Sequence, residues 1–405
     1  MSVQFPRPTR GDGPPRHGPD VRQIPDVGPS NLDAAVYTDP ARYELERTLV
    51  LRNSWLIAGR SSELAEPGDW IIYEGHGETV VVCRQADGSV GAFHNVCQHR
   101  GARITPEAGC GAKRFTCPWH GWVYGTDGEL LGVPDRGDFD PSQLDGLRAP
   151  EVAAEEWGGW VWIFLAGTEA APTLESWLGE VGPELAAYRM EDMVLAEKLV
   201  YDVPVNYKAI IDGFNEMYHI AELHKVPGPD VKAGRETSYQ LLRQNSMMVV
   251  PLSRTLEPLA ETGDHQAHAI CHYVVFPLAV FNNNPEHLQV FHPVPIGPTQ
   301  TRFQVWQLVY QGNQEYESLV EVLWSFLKPI VEQDIFVFNE LAATKQSMAY
   351  TQNRFNEREC KPTGYHAAME AMVQGASAFD ILAKDPIELL DGSGPLQLTR
   401  KKATT

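Results

Sequence analysis

Two closely spaced pairs of cysteine and histidine are the strongest constraint in this sequence. Cys97 and His99 have one residue between them, and Cys117 and His120 follow with two residues between them. Two cysteines and two histidines on paired loops can bind one metal centre, which requires a small domain that holds both loops together. A tetrahedral zinc site is one centre that these residue types allow.

The spacing of the two pairs favours an iron–sulfur cluster over zinc. A Cys-x-His pair with a Cys-x2-His pair is the Rieske pattern, in which two histidines replace two cysteines on one iron of a [2Fe–2S] cluster and raise its reduction potential. Gly101 and Gly121 follow the pairs, and glycine lets backbone N–H groups approach the cluster sulfurs. We therefore predict that these four residues bind a [2Fe–2S] cluster.

A second group of metal-binding side chains lies in the stretch NYKAIIDGFNEMYHIAELH, residues 206–224. Glu216, His219 and His224 occur in it, and two imidazoles with one carboxylate are the ligand set of non-haem Fe(II) oxygenases. Glu216 and His219 share a helix face, whereas the two histidines are five apart, which turns an ideal helix by about 140°. Both can bind one ion only if the helix is distorted or ends there, and the proline and glycine that follow supply an end. The alternative is two unrelated helix histidines.

The sequence around the cysteine and histidine pairs predicts a small antiparallel β domain. Tight-turn signals such as Ala86-Asp87-Gly88 and Thr126-Asp127-Gly128 separate short strand-like runs. The predicted strands are 69–73, 79–84, 90–94 and 158–164. A helix is predicted before them over residues 41–55. The proline-rich residues 1–31 are expected to lack regular structure, residues 1–42 are assigned to an N-terminal arm, and the domain is assigned to residues 43–170.

Beyond residue 170 the pattern changes to mixed helices and strands. Helical periodicity is predicted for 174–188, 207–223 and 319–345. Strand-like runs alternate with these helices at 194–203, 247–252, 269–281, 289–295 and 301–310. This mixture predicts an α+β domain with an antiparallel sheet over residues 171–405.

Composition limits the partners of this chain. The formal net charge is −20, which disfavours nucleic acids and anionic membrane surfaces because both repel an acidic protein. The longest apolar runs are shorter than the ~20 residues of a membrane helix, and the N-terminus has no apolar signal core. Six cysteines in 405 residues do not make a disulfide framework. We expect a cytoplasmic protein with neither a nucleic-acid nor a membrane partner.

The two motifs together resemble a known family. The phrase AFHNVCQHRGARI…FTCPWHGWVYGTDGEL is similar to the Rieske domain of the Rieske non-haem iron oxygenases, α-subunit type, and NYK…EMYH…LH is similar to their iron-binding segment. The resemblance extends from about Tyr43 to Gln346. It implies an N-terminal Rieske domain, a C-terminal catalytic domain of the helix-grip kind, a mononuclear Fe(II) in addition to the [2Fe–2S] cluster, and a head-to-tail homotrimer.

The family needs a third iron ligand, an aspartate on a late helix, and the resemblance implies Asp334 in KPIVEQDIFVFNEL. The residue pattern agrees, because Asp334 interrupts the apolar stripe of a predicted helix. The stripe consists of Leu327, Ile330, Val337, Phe338 and Leu341. An unpaired buried carboxylate is unfavourable, and binding a metal is one way to offset this. The alternative is a buried aspartate paired with lysine or arginine, whereas Glu332 lies off the stripe and is expected at the surface.

Glu216 and Asn206 are the candidate catalytic residues. Most of the family has an aspartate in place of Glu216, and this residue bridges the two metal centres between neighbouring subunits. Glu216 would accept hydrogen bonds from His120 of one chain and His219 of the next, which its longer side chain should still reach. A glutamate at this position is a resemblance to the subgroup of carnitine and betaine oxygenases. The alternative to the bridging role is that Glu216 is a solvated carboxylate on a helix. Asn206 matches a recurrent asparagine near the iron, but a helix N-cap explains it equally well.

The resemblance implies a terminal oxygenase. Electrons from NADH would pass through a separate reductase, and a ferredoxin where the system has one, to the cluster and then to the iron, where O2 hydroxylates an organic substrate. No G-x-G-x-x-G follows a predicted strand, so NADH is not expected to bind this chain. An aromatic or other apolar ring compound is the favoured substrate. The alternatives are monooxygenation or demethylation of a quaternary ammonium or methoxy compound and, in another class, a Rieske ferredoxin-like electron carrier.

Overall fold

The computed structural model describes residues 24–224, 237–251, 256–284, 287–310 and 316–399. The chain forms two compact units. One is Leu51–Trp177, and the other combines the segment before it with the chain from Leu178 onward. The first unit is built mainly from antiparallel strands and the second from helices and antiparallel strands. The predicted α+β class is therefore confirmed.

The unit Leu51–Trp177 contains a six-stranded antiparallel sheet. Its strands, in spatial order, are Trp55–Arg60, Trp160–Phe164, Glu151–Trp157, Val90–His94, Glu78–Arg84 and Trp70–Gly75. A smaller sheet consists of Phe115–Thr116, Val123–Tyr124 and Leu130–Gly132. Along Trp70–Gly75 buried residues alternate with more exposed ones, which is the pattern of a strand with one face on a core. The four strands predicted for this part of the sequence are confirmed.

An apolar core lies beneath the two cysteine–histidine loops. Buried residues from strands and loops pack together in it and include Val81, Phe93, Cys97, Ile104, Phe115, Cys117, Trp122 and Tyr124. Both cysteines are thus part of the core, whereas His99 and His120 are only partly buried. The packing therefore directs the sulfur atoms inward and leaves the imidazoles nearer to the surface.

A seven-stranded antiparallel sheet is the centre of the second unit. Its strands in chain order are β1 (Met193–Val203), β2 (Ser238–Leu242), β3 (Asn245–Pro251), β4 (Ala269–Val275), β5 (Ala279–Asn283), β6 (His287–Gly297) and β7 (Gln300–Tyr310). The spatial order is β1-β7-β6-β5-β4-β3-β2, so β1 and β2 form the two edges. Every residue of β3 is buried, as expected for a strand that is covered on both faces.

Four helices of the second unit matter for the site. They are α1 (Tyr207–Phe214), α2 (Ile220–Leu223), α3 (Tyr316–Thr344) and α4 (Cys360–Val373). The last residue of α1, Phe214, stacks on Phe291 of β6 with 4.2 Å between ring centroids. α3 contacts α1 and β1, and α4 contacts β2 and β3. The sheet therefore supports the helices that carry or flank the predicted iron ligands.

Several elements differ from the sequence prediction, among them a strand and two helices. The predicted strand 269–281 is two strands, because residues 276–278 form a turn between β4 and β5. The predicted helix 174–188 is likewise two short helices, Leu174–Leu178 and Val181–Ala186. Helix α4 was not predicted at all. It is buried on all sides along most of its length and contains a proline and a glycine, so it has no apolar stripe to recognise.

The two compact units begin and end at other residues than the predicted domains. Residues 43–50 lie in the second unit, because Glu46 forms a fully buried ion pair with Lys208 of α1 at 2.5 Å. Residues 171–177 lie in the first unit, where Trp55 donates a hydrogen bond to the carbonyl of Pro172 at 2.8 Å.

Part of the predicted arm is ordered, and the rest lies outside the described residues. Within the predicted arm 1–42, Ser30–Asp33 is the central strand of a small sheet with Gln352–Phe355 and Leu396–Leu398. Residues 1–23 lie outside the described part of the chain. Among the described helices, none combines the length and the apolar character required to cross a bilayer.

Candidate cluster-binding loops and metal site

The two cysteine–histidine loops close with the same turn. The N–H of Gly101 donates to the carbonyl of Cys97 at 2.8 Å, and the N–H of Gly121 donates to that of Cys117 at 3.0 Å. Both glycines have positive φ angles, +79° and +73°, which residues with a side chain adopt only with strain. The glycines noted in the sequence are therefore required by the turns that present the ligands.

The four predicted cluster ligands lie together. The rings of His99 and His120 are 4.6 Å apart between centroids, and both cysteines are buried beneath them. The indole of Trp122 stacks on His99 at 4.9 Å with an interplanar angle of 7°. The Nδ1 atom of His99 is buried without a hydrogen-bond partner among the described residues. Two buried sulfurs and two adjacent imidazoles, one with an orphaned nitrogen, fit a Rieske cluster.

Tyr124 supports the first loop from below. Its hydroxyl donates to Sγ of Cys97 at 3.3 Å and accepts from the N–H of Gln98 at 2.9 Å. Hydrogen bonds to cluster ligands tune the reduction potential of an iron–sulfur centre. The sequence prediction missed this residue, which lies in the Val-Tyr-Gly that follows the second loop and has no motif of its own.

The segment that carries Glu216, His219 and His224 is an interrupted helix. α1 ends at Phe214, and α2 begins only after His219 and ends before His224. The expectation that the helix must be distorted or end is confirmed. Glu216 and His219 therefore meet within the interruption and do not share the face of one continuous helix.

Asp334 approaches both histidines from α3. Its Oδ1 is 3.8 Å from Nε2 of His219 and 3.4 Å from Nε2 of His224, and one ligand atom from each residue lies within 4.8 Å of the others. Asp334 is buried, and its Oδ2 has no hydrogen-bond partner among the described residues. Among the described residues no lysine or arginine contacts the carboxylate of Asp334. Glu332 is exposed, as expected. A buried carboxylate beside two imidazole nitrogens is an arrangement that fits one metal ion.

Each histidine of this site is oriented by an acceptor on its other ring nitrogen. Nδ1 of His219 contacts Oε1 of Glu216, and Nδ1 of His224 lies 2.9 Å from Oε1 of Gln333. These contacts leave both Nε2 atoms to point toward Asp334, as second partners of ligating histidines do. Burial acts to lower the pKa of His224, but the contact with Asp334 outweighs it and raises the pKa. The sequence prediction missed Gln333, although it is adjacent to Asp334.

Asn206 has a structural role in the described chain. It is the N-cap of α1, where its side chain accepts from the N–H of Lys208 at 3.0 Å and donates to the carbonyl of Pro298 at 2.7 Å. The helix N-cap is the alternative to a role near the iron that the sequence left open for Asn206. Both ends of its amide are used in these bonds, so the capping role accounts for the residue.

A cavity of about 340 Å³ reaches the site from the surface. Its lining includes Glu216, His219 and Asp334 together with the exposed residues Thr344 and Arg354. Glu216 therefore lines a cavity that opens to the surface.

Both halves of the chain match family models. Residues 54–146 match the Rieske [2Fe-2S] domain, and residues 190–375 match the ring hydroxylating alpha subunit (catalytic domain). The cluster loops fall in the first match and the three-residue metal site in the second.

Two relatives and one solved structure define what the chain is similar to. The carnitine monooxygenase oxygenase subunit of Acinetobacter pittii is 26% identical over 323 residues, which cover 76% of this chain and 86% of the relative. The biphenyl 2,3-dioxygenase subunit alpha of Rhodococcus jostii is 31% identical over 227 residues, which cover 52% and 46%. A quaternary ammonium Rieske monooxygenase solved with its substrate L-carnitine has a TM-score of 0.69 at 22% identity, with coverage of 87% of this chain and 99% of that one. At this identity the structural likeness shows the fold alone.

Proposed function

This chain belongs to the α-subunit family of Rieske non-haem iron oxygenases, and on that premise we propose that it is the terminal oxygenase of a system that monooxygenates a quaternary ammonium compound. The observation that carries the oxygenase function is the convergence of His219, His224 and Asp334 in a chain that also holds the cluster loops. A Rieske ferredoxin-like electron carrier would have no use for the second site.

The family carries a [2Fe–2S] cluster and a mononuclear iron. We assign Cys97, His99, Cys117 and His120 to the cluster, and His219, His224 and Asp334 to the iron. When bound, the iron activates O2 with electrons that arrive from the cluster. The protein's part is to orient the two histidines through Glu216 and Gln333 and to keep Asp334 buried.

Electron delivery involves other protein molecules. The family takes electrons from a separate reductase or ferredoxin, and this chain has no dinucleotide-binding fingerprint. We propose a head-to-tail homotrimer in which Glu216 accepts one hydrogen bond from His219 and another from His120 of the partner subunit. Two features support this. Glu216 already contacts His219, and it lines a cavity that reaches the surface.

The proposed substrate class replaces the ring compound that the sequence favoured. The match to carnitine monooxygenase covers 76% of this chain, whereas the match to biphenyl dioxygenase covers 52%. Glutamate at position 216 is a further resemblance to the carnitine and betaine oxygenases. In the proposed reaction one oxygen atom of O2 is inserted into a C–H bond beside the nitrogen. The other oxygen atom is reduced to water by two electrons from NADH and two protons. The hydroxylated carbon then releases the amine and becomes an aldehyde.

Ring hydroxylation is the second candidate, because the biphenyl dioxygenase subunit is the more identical of the two relatives over the region that it matches.

Product analysis with a surrogate reductase would test the proposed function. Purified holoenzyme, NADH and O2 should convert glycine betaine or carnitine to an amine and an aldehyde, with NADH and O2 consumed in equal amounts. Biphenyl and naphthalene should remain unchanged. A diol from either hydrocarbon, with no quaternary ammonium compound consumed, would overturn the proposed substrate class. An iron count without the mononuclear iron would instead favour the electron carrier.

The role of Glu216 is tested by Glu216→Gln. The amide keeps the volume and an acceptor for His219 but removes the negative charge, and a hydrogen bond to a charged group contributes about 1.5–3 kcal/mol. Both metal sites should stay loaded, and the reductase should still reduce the cluster. In rapid mixing with substrate and O2, the pre-reduced cluster should reoxidise much more slowly than in the wild type. Reoxidation at the wild-type rate with normal product yield would show that electrons travel by another path.

A further inference from the structure

The surface beside the cluster loops is basic and aromatic. Trp119 directly precedes His120 and is 52% exposed, and the guanidinium of Arg100 lies over its ring, 4.3 Å from the centroid. Residues 97–121 contain four basic residues and one acidic one, although the whole chain has a net charge of −20. Tryptophan and arginine are enriched in protein interfaces, and charge favours a partner of the opposite sign. This surface therefore has the character of a docking surface for an acidic partner.

Exposed aromatic side chains also flank the proposed iron site. Tyr218 lies directly before His219 and is 73% exposed. Phe336 lies two residues after Asp334 and is 63% exposed. Large aromatic side chains that stay exposed beside a site are typical of an interaction surface. Each of the two proposed metal centres is thus bordered by aromatic residues that the described chain leaves uncovered.

The cavity of about 340 Å³ at the iron site has an apolar wall and a carboxylate oxygen that is not used. Three apolar side chains of α3 line it, Val337, Phe338 and Leu341. Glu359 lines it as well, and its Oε2 accepts from the backbone N–H of Asn356 at 2.9 Å and from Nδ2 of the same residue at 2.5 Å. Among the described residues nothing contacts its Oε1. A cavity of about 150 Å³ holds a benzene ring, so this one has room for an indole.

The other three carboxylates in the lining of this cavity already have a role. Both oxygens of Asp212 are bound, one by the hydroxyl of Tyr37 and the other by His366. Glu216 belongs to the proposed bridge between the centres, and Asp334 belongs to the proposed iron site. The carboxylate with the unused oxygen is therefore the one that is free for a partner.

The two cations in the lining do not neutralise Glu359. The ammonium of Lys345 donates to two neutral side chains, and Arg354 is exposed. Neither forms an ion pair with Glu359 in the described chain. Burial raises the pKa of Glu359 to about 7, and the charges of Glu216 and Asp212 add to the rise. A guanidinium that enters the cavity would favour the charged carboxylate.

We propose that the Arg100–Trp119 pair of one copy of this chain occupies the cavity of a neighbouring copy, with Trp119 against the apolar wall of α3 and Arg100 paired with Glu359. This inference rests on the proposed function and deepens it, because it names residues that join the copies of the proposed homotrimer. The rings of Trp119 and His120 are 4.5 Å apart between centroids, and Glu216 lines the same cavity as Glu359. A partner subunit's His120 that reaches Glu216 therefore brings the partner subunit's Trp119 to the cavity.

The test reverses the charges of the proposed ion pair in the full-length holoenzyme. Arg100→Glu, Glu359→Arg and the double variant are compared with the wild type, and Trp119→Ala tests the aromatic contact. Sedimentation velocity over a range of concentrations gives the oligomeric state. Rapid mixing measures how fast the donor protein reduces the cluster and how fast substrate and O2 reoxidise it. Arg52→Glu is the matched control, because Arg52 is exposed on the same unit as Arg100. Thermal melting, iron content and the visible cluster spectrum verify that each variant is folded and loaded.

Each single charge reversal should weaken assembly, and the double variant should restore it. Loss of a buried charge pair at an interface is expected to weaken association about 30-fold or more, and reoxidation of the cluster should slow with it. Reduction of the cluster by the donor protein should change less than about twofold. A wild type that stays monomeric, single variants that assemble like the wild type, or a double variant no better than the single ones would overturn the inference. Slower reduction by the donor protein with unchanged assembly would assign this surface to the electron donor instead.

The outcomes separate this inference from the proposed function, because sedimentation requires no substrate. If the charge swap controls assembly but the wild type converts no quaternary ammonium compound, the proposed substrate class fails and the docking surface stands. If the wild type converts glycine betaine as a trimer that the charge reversals leave intact, the proposed function stands and the docking surface fails.

Discussion

The proposed cluster ligands lie between Cys97 and His120, on two loops that close with the same glycine turn. The proposed iron site instead joins His219 and His224, in the interrupted helix, to Asp334 on α3. The cluster loops rest on an apolar core. The iron site instead lines a cavity of about 340 Å³ that opens to the surface. A centre that only passes electrons needs a rigid support, whereas a centre that takes up electrons and oxidises a substrate needs adjacent open space.

The largest expected effect concerns Asp334, which lies on a helix far along the chain from the two histidines of the proposed iron site, whereas the proposed cluster ligands all lie on two neighbouring loops. Asp334→Ala should remove the mononuclear iron and abolish turnover, while the visible spectrum of the cluster stays unchanged. Loss of an outer partner already lowers metal affinity about 10–100-fold, so loss of a ligand should exceed this. Metal analysis and absorption spectra provide the measurement, with the exposed Glu332→Ala as control. Full iron occupancy in Asp334→Ala would contradict the assignment, and Glu340 would be tested next.

Lys361, whose buried Nζ has no hydrogen-bond partner among the described residues, should reduce stability, in contrast to Lys208, which pairs with Glu46. The pKa of Lys361 falls from 10.5 to about 7 on folding, so between these values the unfolded chain binds a proton that the folded chain does not, and stability rises with pH. Lys361→Met should therefore stabilise the protein at pH 7, by up to roughly 4 kcal/mol, and the gain should shrink toward pH 10.5. Cys360 and His272 also face this lysine, but burial keeps both neutral at pH 7.

Lys208→Met is the matched comparison for that prediction. It leaves Glu46 buried with Arg42, 2.8 Å away, as its remaining charged partner, so the loss should be smaller than the about 3–5 kcal/mol of a fully unpaired buried charge. Thermal melting of both variants between pH 7 and pH 10 provides the measurement. A lower melting temperature for Lys361→Met at pH 7 would show that this lysine has a partner inside the folded chain.

A smaller effect is expected from the residue that orients His224. Gln333→Leu removes the acceptor at Nδ1 and should weaken iron binding about 10–100-fold without changing the cluster. Gln333→Glu keeps an acceptor and should restore most of the affinity. Iron retention during dialysis against a chelator measures the difference. Equal iron loss from both variants would mean that the contact with His224 does not support the metal.

The smallest effect is expected for a change beside the cluster loops, because these loops are packed against an apolar core and do not depend on one contact. Tyr124→Phe removes the hydrogen bond to Sγ of Cys97, which stabilises the more negative, reduced cluster. A neutral hydrogen bond of about 0.5–1.5 kcal/mol corresponds to a reduction potential lower by roughly 20–60 mV. A redox titration of the holoenzyme, with Tyr73→Phe as a control in the same unit, measures this shift. An unchanged potential would leave Tyr124 with a packing role only.

The sequence by itself indicated the four residues proposed to bind the cluster and the segment that contains the two histidines of the proposed iron site. These depend on residue types at short spacing, and metal chemistry allows few ligand sets at such spacing. The apolar stripe of α3 likewise indicated Asp334, because helical periodicity is a local property. The interruption after Phe214 could be inferred from the five-residue separation of the histidines, although not its position.

The tertiary structure alone decided which residues support these ligands. Gln333 meets His224, and Tyr124 meets Cys97, through contacts between residues far apart in the sequence, which no short motif encodes. Helix α4 has no apolar stripe because it is buried on nearly all sides, so periodicity could not reveal it or the position of Lys361. Whether a buried charge has a partner depends on the whole arrangement around it, and that arrangement exists only once the chain has folded.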